Sequence, residues 1–270
     1  MSVIMNQDDI LRIAMEQSAA DIHCTASDFL CETNRIVPHA LGAGARKYLK
    51  EPIACHLVSY GNNLVASVKE EFRELVEAYI RRYQYYHCFE TPNMHWLDSR
   101  LAEKGYGVCF MAEYYLPDLA RLRTLPCDYE LKILEQPDFA RLYLPEWGNA
   151  LCEDRKELDV LGVGAYENGK LVGLAGCSAD CGRMWQIGVD VLPDYRRRGI
   201  ASALTSRLAV EILERGKVPF YCSAWSNIRS VRNAIKSGFL PAWVELTAKP
   251  ASLIEEMNAP VEEMNKPAEG

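Results

Sequence analysis

The spacing of hydrophobic residues changes within residues 185–213, and this change marks the most informative part of the chain. Apolar residues first alternate at Ile187, Val189 and Val191, which predicts a β-strand. They then recur every four positions, which predicts an amphipathic helix with one buried face. This second set consists of Ile200, Leu204, Leu208 and Ile212. The pattern therefore predicts a strand, a turn and a helix in direct succession.

The same two spacings of apolar residues, alternate and every three to four positions, predict the elements in the remainder of the second half. They predict strands at 129–134, 160–166, 171–177, 219–224 and 242–247, and helices at 137–151 and 228–239. Asn168-Gly169 stands between two apolar runs and predicts a tight hairpin, since both central positions of that turn need positive φ. This order predicts an α/β fold, with a mixed sheet flanked by helices.

The first half has a different order of elements and no recognisable motif that carries chemistry. Helices are predicted from Ile10 onward, at 70–82 and at 93–104. Strands are predicted within 55–68 and at 108–116. A cluster of tyrosines with His87 at 83–87 is most simply a half-buried packing face.

Residues 117–126, with their arginines and two prolines, form the best boundary between these parts. We therefore predict an N-terminal α+β domain over 1–122 and a second domain over 127–249. Residues 250–270 are acidic and contain proline, and are expected to form a flexible tail.

Composition excludes several classes of function. The net charge of −7 argues against nucleic acid as a general partner. No apolar run reaches membrane-spanning length and no signal peptide is apparent, so a cytoplasmic protein without membrane contact is expected. The ten cysteines are scattered, as expected for reduced thiols. All five histidines precede residue 100, and no zinc-type set of ligands appears, so no metal site is predicted.

The turn between the predicted strand and helix has the composition of an anion site. It contains Pro193, the arginines of 196–198 and Gly199. A chain that enters a helix through glycine directs several free N–H groups at one point, and the helix dipole adds positive charge there. A phosphate or pyrophosphate suits such a site. The spacing matches neither a phosphate-binding loop of nucleotide hydrolases nor a dinucleotide fingerprint.

Arg196-x-x-Gly199-x-Ala201 instead resembles the acetyl-CoA signature of the GNAT acetyltransferase superfamily, Gln/Arg-x-x-Gly-x-Gly/Ala. Asn227-x-x-Ser230 and Lys236-Ser237-Gly238-Phe239 resemble two further motifs of that family. The resemblance covers about 127–249 and implies the GNAT acyl-CoA N-acyltransferase fold with an additional N-terminal α+β domain. The strand–helix–helix–strand order of the first half also allows a degenerate second GNAT-like unit.

The resemblance implies a role for specific residues of the second half. Pantetheine would lie between two separated strands, and backbone N–H groups from Arg197 to Ala201 would hold the pyrophosphate. The cofactor-binding residues implied are Val189, Val191, Arg196, Arg197, Arg198, Gly199, Ile200, Ala201, Asn227 and Ser230. Because all of them lie in 127–249, that segment is expected to bind CoA without the first half.

Two assignments remain open at this point. Asn227 would contact the cofactor near its sulfur end, but it also suits the N-cap of the following helix. Arg229, Arg232 and Lys236 share one helix face, which either meets the adenosine phosphate or is simply a solvated basic face.

The chain departs from the family at the groups that transfer protons. A general-acid tyrosine is common seven residues after the helix asparagine, but Ala234 occupies that position. The frequent glutamate base is also missing, where Trp185 and Gln186 stand. Asp190 is the candidate base, with pairing to an arginine as the alternative, and the backbone N–H of Val191 is the expected oxyanion donor.

Five further side chains are candidates for the same chemistry. Three further carboxylates are candidate bases: Glu157, Asp159 and Asp180. Two cysteines are weaker candidates for an acyl-carrying nucleophile, since a small buried thiol is the default for both: Cys177 and Cys222.

The resemblance implies an N-acetyltransferase that transfers the acetyl group of acetyl-CoA, its co-substrate, to a small-molecule or amino-acid-like amine. A cleft between the two halves, lined by tyrosine and histidine from the first, would select that acceptor. The missing acid and base favour an alternative, a non-catalytic acyl-CoA sensor. A third interpretation, a nucleotide-dependent enzyme that uses the glycine-arginine turn, is disfavoured because the other motifs of such enzymes are absent from the sequence.

Overall fold

The computed structural model describes residues 5–49 and 52–258 and contains one sheet of ten strands. The strands are β1 (Arg35–Pro38), β2 (Cys55–Ser59), β3 (Val65–Val68), β4 (Tyr106–Pro117), β5 (Glu130–Glu135), β6 (Asp159–Glu167), β7 (Lys170–Ser178), β8 (Met184–Val191), β9 (Val218–Ser223) and β10 (Phe239–Pro250). The helices are α1 (Gln7–Ile22), α2 (Arg73–Arg82), α3 (Thr91–Ala102), α4 (Ile200–Glu214), α5 (Ile228–Lys236) and α6 (Ala251–Met257).

The order of strands in the sheet is β1-β3-β2-β10-β4-β9-β8-β7-β6-β5. Two neighbouring pairs are parallel, β1 with β3 and β8 with β9, and the other pairs are antiparallel. The predicted α/β class, with a mixed sheet flanked by helices, is thereby confirmed. The predicted hairpin is also present, because Asn168 and Gly169 have φ of 51° and 82° between β6 and β7.

Both faces of the sheet are covered. The apolar stripe of α4 packs on the strands β6 to β8, and Leu204, Leu208 and Ile212 are completely buried there. The helix α1 covers the opposite face, where Ile10 and Ile22 pack with side chains of β4 and β9. Burial of these two stripes supplies hydrophobic stabilisation on each side of the sheet.

The sheet crosses the predicted boundary between the two halves. β4 belongs to the first half, yet it lies between β9 and β10 of the second half. β10 pairs with β2 on one side and β4 on the other, so both of its neighbours come from the first half. The division into 1–122 and 127–249 stays a prediction, but the two parts share their hydrogen bonds.

A buried ionic cluster joins the first half to β10. The guanidinium of Arg46 donates to Asp21 and to Glu245, each at 2.5 Å, and His56 Nε2 lies 3.1 Å from the second oxygen of Glu245. Burial alone would raise the pKa of Glu245, but Arg46 and His56 outweigh it and hold that pKa well below its usual range. Removing one partner would leave a buried charge unpaired, which typically costs about 3–5 kcal/mol.

Three local predictions were wrong. The predicted helix at 137–151 is replaced by two short 3₁₀ turns, because Pro145 starts a new turn and Gly148 ends it. Residues 251–257, placed in a flexible tail, form α6, which packs on β4 and β10; the rest of that tail, from 259, lies outside the described residues. β1 was missed because it is short, lies at the edge of the sheet and ends at Pro38.

Among the described residues, none of the helices has the length and apolar character needed to cross a membrane.

The shared sheet argues against the expectation that residues 127–249 bind CoA without the first half. We expect this fragment to lack a cooperative unfolding transition, because β10 would keep neither of its neighbouring strands. The measurement is thermal unfolding followed by circular dichroism. The matched control is the full chain cut once between residues 123 and 124, in a connection outside the strands, which retains every strand pair. A cooperative transition of the fragment at the temperature of the cut chain would contradict the expectation.

Candidate active site

A cavity of about 1140 Å³ opens where β8 and β9 stop pairing. The two parallel strands pair from Met184 and Val218 up to Ile187 and Tyr221. Beyond this point β8 continues to pair with β7, and β9 pairs with β4. The cavity is lined by the diverging strands, by the N-terminal ends of α4 and α5 and by residues 110–112 of β4. Its closed end therefore lies at the last pair, Ile187 with Tyr221.

One edge of the cavity is unpaired backbone of β8. The N–H of Leu192 donates to Val172 of β7, and successive residues of a strand direct their N–H groups to opposite sides. The N–H groups of Val189 and Val191 therefore face the cavity. Arg196 Nε donates to the carbonyl of Val191 at 3.0 Å and joins this edge to the following turn.

The predicted anion site lies at the open end of the cavity. Gly199 is the residue before α4 and has φ of 82°, while Arg197 has φ of 64°. No side chain caps the N-terminus of α4, so its first N–H groups are free for a ligand. A Cβ on Gly199 would meet one atom only, Lys236 Nζ at 4.0 Å, so the space in front of the helix is open.

Five cationic residues line the cavity. They are Arg196, Arg197, Arg229, Arg232 and Lys236. Among residues 5–49 and 52–258, no carboxylate lies within ion-pair distance of any of the five. The basic face of α5 therefore faces the cavity, together with the arginines of the turn. Like charges held this close favour an anionic ligand with several charges.

Arg198 differs from its neighbours. Its guanidinium donates to the hydroxyl of Tyr129 at 2.8 Å and lies over the ring of Tyr195, and its side chain does not line the cavity. The prediction that this side chain binds the cofactor is not supported, because consecutive residues of the turn point to different sides. Its backbone N–H remains part of the turn.

Asp190 lines the cavity, and both of its carboxylate oxygens accept hydrogen bonds from its own chain. One carboxylate oxygen accepts from the backbone N–H groups of Asn149 and Ala150, at 2.8 and 3.0 Å, and the other accepts from the Asn149 amide at 2.6 Å. The carbonyl of Asn149 lies so close to Gly188 that a Cβ there would approach it to 1.8 Å. Asp190 thus holds the 149–150 loop against β8. The hydrogen bonds give Asp190 a structural role, and its assignment as a base stays a prediction. No arginine among the described residues pairs with it.

The other candidate bases lie away from the cavity. Asp159 accepts from the N–H of Cys152 at 2.9 Å, and burial raises the pKa of Asp159 to about 6. Asp180 is buried against Arg155. Neither these two carboxylates nor Glu157 lines the cavity.

The two cysteines are also separated by the structure. Cys177 is buried in the core under α4. Cys222 lines the cavity, where Gln186 donates to its sulfur at 3.1 Å. Burial raises the pKa of the Cys222 thiol to about 11, so the thiol stays protonated near neutral pH and is a poor nucleophile.

Asn227 and Ser230 make local hydrogen bonds at the N-terminal end of α5. The Asn227 side chain accepts from the N–H of Ser230 at 3.2 Å and caps α5, and its amide nitrogen stays available to a ligand. Ser230 Oγ lies 2.9 Å from the hydroxyl of Tyr221. Both residues line the cavity, and their contact with a cofactor stays a prediction.

Sequence reasoning missed Tyr221 and the residues of β4. Tyr221 lies at the closed end of the cavity, on a predicted strand but in no motif. Phe110, Met111 and Ala112 line the cavity from β4, because that strand is inserted next to β9. The aromatic cluster at 83–87 packs around α2 and α3 instead, so tyrosine and histidine of the first half do not line the cavity.

The profile of the acetyltransferase (GNAT) family matches residues 121–239. The C-terminal half of this chain is a GNAT acetyltransferase domain. The match begins within the predicted boundary and includes the strands and helices around the cavity, so acyl transfer is the general chemistry of this half. No curated protein matches the chain significantly.

Solved GNAT structures resemble the chain at low identity. A putative GNAT acetyltransferase from Novosphingobium aromaticivorans has 21% identity and a TM-score of 0.40, over 53% of this chain and 66% of its own. A GCN5-related N-acetyltransferase-like protein from Streptococcus suis has 20% identity and a TM-score of 0.43, over 70% of this chain and 71% of its own. A GNAT acetyltransferase from Colwellia psychrerythraea has 17% identity and a TM-score of 0.41, over 68% of this chain and 76% of its own.

We expect Asp190→Ala to destabilise the GNAT domain by at least about 2 kcal/mol, since the backbone N–H groups of Asn149 and Ala150 would lose their acceptor. Urea unfolding measures the effect. The control Asp194→Ala removes an exposed carboxylate four residues away and should change stability by about 0.5 kcal/mol or less. Equal stabilities of the two variants would show that Asp190 does not hold the loop.

We expect Ala234→Tyr to destabilise the domain by about 1–3 kcal/mol, because a large side chain would be forced into a packed core. Ala234 is 0% exposed and packs with Tyr221 and Phe239. Thermal unfolding is the measurement, and Ile235→Tyr is the control, since Ile235 is 47% exposed on the same helix. A variant at 234 as stable as the one at 235 would show that the core has room for a tyrosine.

Proposed function

We propose that this protein is a CoA-dependent N-acetyltransferase that transfers the acetyl group of acetyl-CoA to the amine of a small-molecule or amino-acid-like acceptor. Three features along one cavity carry this proposal: cations without a carboxylate partner among the described residues, a free helix N-terminus and a free strand edge. The first two suit phosphates, and the third suits the amide groups of pantetheine.

The charged part of CoA fits the open end of the cavity. Backbone N–H groups from Arg197 to Ala201 would hold the pyrophosphate at the N-terminus of α4. The side chains of Arg196 and Arg197 lie beside that position. Arg232 and Lys236 on α5 would meet the remaining phosphate of the adenosine, which favours the ligand-binding interpretation of this basic face.

The pantetheine arm fits the free edge of β8. The N–H groups of Val189 and Val191 face the cavity and lack a strand partner on that side. Pantetheine amides would pair with this edge in the way that an added strand does. The Asn227 amide, at the start of α5, would contact the same arm.

The chemistry needs little more than orientation, because a thioester is already activated. As the acyl carbon is attacked, its oxygen gains negative charge, which a positioned N–H stabilises. Val191 is the predicted donor, but Val189 lies two residues nearer to the closed end, where the thioester of an extended pantetheine arm would lie. We therefore assign the oxyanion contact to Val189 and the pantetheine contact to Val191.

The acceptor would approach from the side of the sheet opposite to α4. Gln186 and Cys222 lie on that side of the closed end, and Phe110 of β4 forms part of the same wall. Since Asp190 holds the loop of Asn149, an amine that arrives neutral would lose its proton to water. These mostly uncharged side chains suit a small acceptor rather than nucleic acid.

The proposal includes a cytoplasmic location. All ten cysteines are free, which suits a reducing compartment.

We expect Gly199→Glu to abolish CoA binding, because its side chain would enter the anion site and add negative charge where the helix dipole favours an anion. Isothermal titration calorimetry with CoA is the measurement. The control is Gly216→Glu, which introduces the same side chain at a positive φ of 69° at the other end of α4. It carries the same backbone strain and the same charge, and should bind CoA as the wild type does.

Unchanged affinity of a folded Gly199→Glu variant would contradict the anion site. Thiol release from acetyl-CoA, measured against a panel of amines, tests the transfer itself. CoA binding without thiol release for any amine would favour a sensor over an enzyme.

A further inference from the structure

We propose that the hydroxyl of Tyr221 is the general acid that protonates the departing CoA thiolate. This inference rests on the proposed function and adds a catalytic residue to it. The family's usual position for such an acid is the buried Ala234, which carries no proton donor. The structure places a phenol beside that position from a strand instead of from the helix.

The position of Tyr221 brings its ring to the end of the cavity where the thioester of CoA would lie. Tyr221 is the last residue of β9 that pairs with β8, so its side chain lies at the closed end of the cavity. A pantetheine arm that starts at the N-terminus of α4 and runs along β8 must end there. The ring of Tyr221 packs with Phe239 and Ala234, which holds the hydroxyl on the side of α5.

The surroundings of the Tyr221 hydroxyl keep it protonated and connect it to a second hydroxyl. The Tyr221 oxygen lies 2.9 Å from Ser230 Oγ, and both residues line the cavity. Burial raises the pKa of Tyr221, while hydrogen bonds to Ser230 and Asn233 oppose this effect only in part. The phenol thus keeps its proton near neutral pH, and Ser230 links it to the open part of the cavity.

Two other possible proton donors of the cavity, Tyr195 and Cys222, are less well placed to reach the sulfur of CoA. Tyr195 also lines the cavity, but its hydroxyl donates to Glu167 at 2.7 Å, beside the turn and away from the closed end. Cys222 follows Tyr221 directly and therefore points to the opposite face of the sheet. Among the described residues that line the cavity, Tyr221 is the one phenol at the closed end.

The step balances in atoms and charge. The amine nitrogen forms a bond to the acyl carbon, and the carbon–sulfur bond breaks with its electron pair on sulfur. The proton of the Tyr221 hydroxyl moves to that sulfur and gives the CoA thiol. The nitrogen releases one proton to water, and the tyrosinate regains one from water through the hydroxyl of Ser230.

The test compares Tyr221→Phe with Tyr115→Phe. Tyr115 is the cross-strand neighbour of Tyr221 and is equally aromatic and buried, but its hydroxyl donates to Glu113 and it does not line the cavity. With an amine that the wild type acetylates, thiol release by Tyr221→Phe should fall about 10²–10⁴-fold in kcat. The calorimetric Kd for CoA should stay within about twofold, and Tyr115→Phe should keep the wild-type kcat.

A second measurement is independent of turnover. A hydroxyl that donates to sulfur stabilises the thiolate, so the pKa of the thiol of bound CoA should be lower in the wild type than in Tyr221→Phe. The ultraviolet absorbance of the thiolate reports this pKa in a titration of the CoA complex. In Tyr115→Phe the thiol pKa should equal that of the wild type.

The outcomes separate this inference from the proposed function. A wild type that releases thiol, together with a Tyr221→Phe variant of unchanged kcat and unchanged thiol pKa, overturns the role of Tyr221 and leaves the acetyltransferase intact. A wild type that releases no thiol with any amine overturns the proposed function, and with it the role of the tyrosine. Loss of kcat with an unchanged Kd and a raised thiol pKa supports both.

Discussion

The site depends on one interruption of hydrogen bonding, the end of pairing between β8 and β9 after Ile187 and Tyr221. A sheet normally satisfies the backbone groups of neighbouring strands, and buried unpaired groups are costly. Here β7 holds β8 on one side and β4 holds β9 on the other, so the two strands cannot close the gap between them. Asp190 and the close contact at Gly188 fix β8 further through the 149–150 loop. The cavity is therefore built into the strand order and needs no conformational change to form.

This constraint explains why the first half matters to a site to which it contributes, among the described residues, only residues 110–112 of β4. β4 gives β9 its outer partner and separates it from β10, and the cluster of Arg46, Asp21 and Glu245 ties α1 and the loop after β1 to β10. A buried cluster of this kind adds little net stability. It does fix the relative positions of the segments it joins, because a buried charge separated from its partner is costly. The first half therefore acts mainly by fixing the position of β9, and through β9 that of Tyr221.

Sequence reasoning predicted the parts of the site that follow one another along the chain. The turn from Arg196 to Ala201 has a local physical signature, since glycine before an amphipathic helix and adjacent arginines act over a few residues. Local patterns also predicted the hairpin at Asn168-Gly169 and the capping role of Asn227. The same logic could not find β4 beside β9, because strand order depends on contacts between residues about a hundred positions apart. The contact between Asp190 and the 149–150 loop was missed for a related reason, since these partners lie about forty residues earlier in an irregular loop.

Repulsion between the cations of the site destabilises the folded chain when no ligand is bound. The net charge is −7, yet the cations at the open end of the cavity stand together without carboxylate partners among the described residues. Mutual repulsion of Arg196, Arg197, Arg232 and Lys236 raises the free energy of the folded state, and a surface pairing with acidic residues would have relieved it. An anion that neutralises these charges binds the folded state alone and stabilises it by mass action. Unpaired cations in an acidic chain are therefore better explained by a ligand with several negative charges than by the needs of folding.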